Sequence, residues 1–172
     1  MQKPSSPGLA WRRNIPLFII ALLVIAVDQL TKLAVELNLA VGQSVPEAGF
    51  FRFTHVHNTG ASFGMFQGQY LALAVISIVG ICVLLYLALG MSRRFPLLDT
   101  TLARVALGLM LGGMIGNLID RLSQGYVTDF INFSFWPAFN VADSSTVIGA
   151  LLLAYALLRL AWKDELPDGK DT

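Results

Sequence analysis

Charge is scarce in this chain. Asp, Glu, Lys and Arg make up 13% of its 172 residues, against about a quarter in an ordinary soluble domain. Hydrophobic residues reach 55%, so the balance points to a membrane protein. Cysteine is nearly absent. Cys82 alone, inside an apolar run, excludes an internal disulfide and a cysteine-rich metal site, and reads as a small packing residue. His55 and His57 are the two histidines. They alternate on one strand-like face with no third ligand nearby, which makes weak evidence for zinc, so they read as surface histidines. No basic block accompanies the net charge of +1, and nucleic acid is not an expected partner. A phosphate loop, a dinucleotide fingerprint and a nucleophilic-serine signature are also missing. The length leaves room for one domain, residues 1–172.

What the chain does have is four apolar runs of membrane-spanning length. Residues 1–14 are polar, basic and Pro-containing, and read as a short tail. A span over about 15–36 follows, with Pro16 in its first turn. The polar block Asp28-Gln29-Leu30-Thr31-Lys32 takes the place of a signal-peptide cleavage site, so the segment reads as an uncleaved helix. Asp28 and Lys32, four residues apart, share a face and can pair. Further spans are expected over about 70–91, 101–121 and 143–162. Arg104 is placed to snorkel from the near end of the third. That span also carries Gly108, Gly112 and Gly116 at four-residue spacing, which suits close helix packing or room for a substrate helix.

Two aromatic segments separate the spans. Between about 37 and 69, FFRFTHVHN alternates like a strand and Asn58-Thr59-Gly60 signals a turn. Between 122 and 142, YVTDFINFSF reads as a second short extended stretch. The fold expected is therefore all-α integral membrane, four transmembrane helices with a small extracytoplasmic β or extended element. Nine of the basic residues (Lys3, Arg12, Arg13, Arg93, Arg94, Arg104, Arg159, Lys163, Lys170) fall on one side of these spans. Lys32, Arg52 and Arg121 fall on the other. The positive-inside rule puts both termini in the cytoplasm and both aromatic segments outside.

The residues from Gly112 to Ser144 concentrate the chemistry. Asp129 and Asp143 come from different elements, and two carboxylates are the minimum equipment for acid–base hydrolysis without a metal. Each has a plainer reading: Asp143 as the N-cap that begins the fourth helix, Asp129 as a solvated turn residue. With Asn117 and Asn140 available to hold them, the catalytic reading overtakes the structural one. Asp120-Arg121 reads equally as an interfacial ion pair or as a substrate-positioning pair. Asn132-Phe133-Ser134 matches a glycosylation sequon that is common by chance. A proton-relay transporter would spread its acidic groups through the bilayer depth, whereas here they cluster at one end. A non-catalytic assembly subunit would tolerate Asn at 129.

Five ordered blocks carry a resemblance. They are DQLTK (28–32), NTGASF (58–63), GGMIGNLIDR (112–121), VTDF (127–130) and FNVADS (139–144). Together they resemble the bacterial lipoprotein signal peptidases, or signal peptidase II. The resemblance implies an intramembrane aspartyl endopeptidase of the bacterial cytoplasmic (inner) membrane, its active site near the outer face. It would remove signal peptides from diacylglyceryl-modified prolipoproteins, cutting before the lipidated cysteine. The implied catalytic pair is Asp129 and Asp143. Asp28, Lys32, Asn58, Gly60, Asn117, Asp120, Arg121 and Asn140 match the supporting positions. The implied partners are lipid-modified prolipoproteins and membrane lipids, and no cofactor or metal is implied.

Overall fold

The computed structural model describes residues 7–60, 65–90, 98 and 100–165. The Ala61-Ser62-Phe63 part of the first-loop motif and the Arg93-Arg94 turn lie outside those residues. Among the described residues, four helices are long and apolar enough to cross a membrane: α1 (Pro7–Asn38), α2 (Tyr70–Leu85, continued by a π-turn Tyr86–Gly90), α3 (Thr101–Ser123) and α4 (Val141–Glu165). Between α1 and α2 lie β1 (Ser44–Val45) and β2 (Phe51–Asn58). Between α3 and α4 lie β3 (Val127–Phe133) and β4 (Trp136–Phe139).

The helices invert the pattern of a soluble bundle. Leu22, Leu30, Ile76, Leu151 and Leu158 are each at least 60% exposed, facing outward where hydrocarbon would meet them. The interior interleaves leucines (Leu17, Leu84, Leu107, Leu111) with small residues such as Ala21, Ala88, Ala103 and Ala106. On α3, which packs against α1, α2 and α4, any Cβ at Gly108 or Gly112 would lie 2.7 Å from the Leu17 or Ala21 carbonyl of α1. The glycine ladder is thus filled by α1 and leaves no room for a substrate helix. Thr100 starts α3, its Oγ1 accepting from the Ala103 N–H at 3.2 Å.

Several local expectations change. α1 begins at Pro7, with proline in its first turn, and continues through Pro16. Asn14 therefore belongs to a helix rather than a tail, and accepts from buried Arg104. Arg104 does not snorkel; it also donates to the Ala88 carbonyl at 3.2 Å, in the π-turn that continues α2. Cys82 is exposed on the outward side of α2 and packs nothing in the core.

The four strands form one antiparallel sheet in the order β1-β2-β3-β4. Asn58 pairs with Val127 and Val56 with Asp129, and an irregularity separates this register from the Phe53–Ile131 pairing. Phe50, Phe51, Phe53, Phe133 and Phe135 cluster at the far end, their ring centroids 5.1–6.3 Å apart. Asn132 of the sequon donates to Thr54 within the sheet at 3.1 Å. β3 leads toward the N-terminus of α4, where the polar motif residues converge.

Candidate active site

The base of the site is a charge cluster buried between α1 and α3. The Lys32 ammonium lies 2.7 Å from Asp28 Oδ2 and 2.7 Å from Asp120 Oδ2, and all three residues are at most 3% exposed. A lone charge at this depth is costly, and compensated charges persist. The second oxygen of Asp28 accepts the Ala142 N–H at 2.9 Å, so a carboxylate on α1 satisfies an orphan amide in the first turn of α4. A Cβ at Gly116 would sit 2.6 Å from Asp28 Oδ2, which is why this α3 position is glycine.

Three asparagines stand on that base, each locked by its own carbonyl. Asn117 Oδ1 accepts from Lys32 at 2.9 Å and from Asn140 Nδ2 at 3.1 Å. Asn140 Oδ1 accepts the Asp143 N–H at 2.9 Å. Asn58 Oδ1 accepts the Gly60 N–H at 3.0 Å in a tight turn, where a Cβ on Gly60 would lie 2.5 Å from the Met65 carbonyl. With the oxygens committed, the NH₂ groups turn to the carboxylates. Asn117 donates to Asp143 Oδ1 at 2.7 Å, Asn140 to Asp129 Oδ1 at 2.8 Å and Asn58 to Asp129 Oδ2 at 2.9 Å. Asp143 Oδ2 faces the Asn140 N–H at 3.3 Å. Every oxygen of Asp129 and Asp143 thus faces an asparagine donor.

The helix start differs from expectation in the same place. α4 begins at Val141, so Asn140 is the N-cap and Asp143 stands in the first turn. The reciprocal Asn140–Asp143 bonds are a capping-box exchange. Asp143 is thereby held at a helix end that attracts negative charge.

Both aspartates wall one cavity of about 740 Å³, together with His57, Asn58, Gly60, Asn117, Arg121 and the whole of β4. Asp129 is 2% exposed. Burial raises its carboxyl to about 7, the nearby Asp143 charge pushes the same way, and the Asn58 bond opposes. A carboxyl at that value exchanges its proton near neutrality, as a general acid or base must. Burial lowers the His57 imidazole below its ordinary value, and His55 adds to the effect.

A family model described as signal peptidase (SPase) II matches residues 20–159. The chain belongs to the signal peptidase II family. Among its relatives, the lipoprotein signal peptidase of Dehalococcoides mccartyi is 46% identical over 83% of this chain and 90% of its own length. That of Moorella thermoacetica is 44% identical over 83% and 93%. A bacterial membrane enzyme solved by the in meso method superposes with a TM-score of 0.76 at 29% identity, covering 100% of this chain and 99% of its own. A second structure so described gives 0.70 at 31% identity, over 92% and 97%. The protein is a membrane-embedded, signal peptidase II-type aspartic protease that processes lipoprotein signal peptides.

All ten site residues expected in this signal peptidase II chain gather at one end of the bundle, but with different neighbours. Asp120 pairs with Lys32 rather than with Arg121, whose Nη1 reaches the Asn117 carbonyl at 3.4 Å beside the cavity. Gln29, Glu36 and Thr128 had not been singled out. Gln29 donates to Asp120 Oδ1 at 2.8 Å, and Thr128, fully buried, donates to Glu36 at 2.6 Å beside Asp129. Gln29 and Thr128 lie inside the DQLTK and VTDF blocks, which carry the available signal. Glu36 had none. His55 is 4% exposed and bonds the Leu39 carbonyl at 2.9 Å, so it is no surface histidine. Among the described residues, no three His, Cys, Asp or Glu side chains are placed to hold a metal.

Proposed function

We propose that the chain is an integral membrane endopeptidase domain spanning residues 1–172, and that Asp129 and Asp143 cleave diacylglyceryl-modified prolipoproteins before the lipidated cysteine. The observation that carries this reading is the shared cavity. Two carboxylates from different elements face it, hydrogen-bonded by neutral amides, and the Arg121 guanidinium on the same wall acts on both through charge alone. Asp129, raised to about 7, holds the proton and polarises the scissile carbonyl. Asp143 takes a proton from the attacking water. The two carboxyls share one proton because both cannot ionise cheaply side by side.

Asp28, Lys32 and Asp120 hold the base of the site, Asn58, Asn117 and Asn140 aim the carboxylates, and Gly60 locks Asn58. Arg121, beside the cavity, positions the substrate backbone. The basic-residue asymmetry supports cytoplasmic termini in the bacterial inner membrane, with the site near the outer face and lipids against the outward apolar faces.

The test is to incubate purified protein with a diacylglyceryl-modified prolipoprotein peptide and with the same peptide unlipidated. Mass spectrometry should find cleavage before the cysteine only in the first. Cleavage elsewhere, or equal cleavage of both, contradicts the reading.

A further inference from the structure

A peptide bond must leave its helix before water can attack it. Each helical N–H is bonded to a carbonyl four residues back, and unwinding one turn orphans about four donors and four acceptors. Away from bulk water those groups need replacement partners. A signal peptide drawn from a membrane into this cavity meets that requirement at the bond to be cut.

Among the described residues, the sheet edge that walls the cavity is β4. β4 is the last strand of the sheet, with β3 on one side and no strand on the other among the described residues. Its four successive residues, Trp136, Pro137, Ala138 and Phe139, all wall the cavity that Asp129 and Asp143 share. Successive side chains of a strand point to opposite faces. Four in a row on one wall is what a strand lying edge-on to the cavity gives. The strand runs directly into Asn140, whose amide holds Asp129. Pro137 is compatible with an edge strand, where it presents its carbonyl but no N–H, so pairing there draws its donors from the residues around it. Four residues span about 13 Å of extended chain, enough for the residues on both sides of one bond.

We propose that β4 is a docking edge on which the unwound substrate segment pairs as an added strand, laying its scissile bond across Asp129 and Asp143. The sheet then has five strands in the substrate complex, and recognition at this edge reads backbone rather than side chains. The proposal rests on the peptidase reading above.

Two measurements on the full chain test it. First, the lipidated parent peptide is N-methylated at one residue at a time on both sides of the cleaved bond, removing one donor each time. Strand pairing predicts loss of kcat/KM of about tenfold at every second residue, with the residues between tolerated. A uniform or aperiodic pattern overturns the pairing while parent cleavage upholds the peptidase. An uncleaved parent overturns both.

Second, disulfide trapping is run in an Asp143→Asn, Cys82→Ser background carrying Trp136→Cys or Ala138→Cys. Shifting a single thiol by two residues along the substrate should shift the preferred partner from one of these positions to the other. Capture indifferent to thiol position overturns β4 as the edge.

Discussion

Two acidic clusters in this bundle share one asparagine and behave as opposites. In the first, Asp28 and Asp120 face the Lys32 ammonium at 2.7 Å, buried and closed. In the second, Asp129 and Asp143 take their hydrogen bonds from neutral donors and open on the cavity, with the Arg121 charge beside them rather than bonded to them. An ammonium favours the charged form of its partners. A neutral amide fixes their geometry and lets the proton come and go. Asn117 joins the two, its oxygen held by Lys32 and its NH₂ aimed at Asp143. Residue type does not separate structure from chemistry here; what compensates the charge does.

Exchanging members of the clusters is the way to break that comparison. The largest effect is expected in the open cluster. Asp129→Asn or Asp143→Asn should lower turnover by about 10²–10⁴-fold or more, while the protein still inserts and folds. Near-normal turnover by either variant removes that residue from the pair. Asp129→Asn carries a stability signature as well. The folded carboxyl lies at about 7, above its ordinary 3.8, so the fold binds the proton more tightly than the unfolded chain does. The stability this confers is complete below about pH 4 and is lost as pH rises through about 7. The variant should therefore melt higher than the parent at about pH 8 and match it near pH 4; a lower melt at pH 8 contradicts the raised carboxyl.

The closed cluster should respond the other way. Lys32→Met leaves two buried carboxylates without their cation and should destabilise by about 3–5 kcal/mol, read as a depressed melt in detergent. An unchanged melt means that charge does not hold the base of the site. Asn58→Ala is a smaller change. It removes a bond that lowers the Asp129 carboxyl, so the high-pH fall of activity should move upward and turnover should drop about tenfold. A downward move reverses the assigned role of Asn58. Smallest of all, His57→Gln should change turnover by no more than about twofold and leave both limbs of the pH profile in place. Loss of either limb makes His57 a participant.

The sequence made the four spans legible because hydrocarbon demands long apolar runs, the strand Phe51–Asn58 because FFRFTHVHN alternates, and Val127–Phe133 only as a short extended stretch. The Asp28–Lys32 pair followed from four-residue spacing on one helix. Partners set by tertiary packing were not legible. Asp120 turns to Lys32 across 88 residues of chain, and its neighbour Arg121 feels it only as a nearby charge. Asn140 takes the cap expected of Asp143, since the helix starts two residues earlier. Glu36 meets Thr128 only because β3 crosses the end of α1. Arg104 is buried because Asn14 and Ala88 meet its guanidinium there.

The claim that a proton-sharing carboxylate pair does the cleavage is tested most directly by its pH profile in the presence of a strong chelator. The pair works only while one carboxyl is charged and the other neutral. Cleavage should fall at low pH, where both are protonated, and fall again as pH rises through about 7 and Asp129 loses its proton. The chelator should change neither limb. Cleavage that keeps rising well above pH 8 (about one unit past the Asp129 value), or that chelation abolishes and zinc restores, would contradict the account.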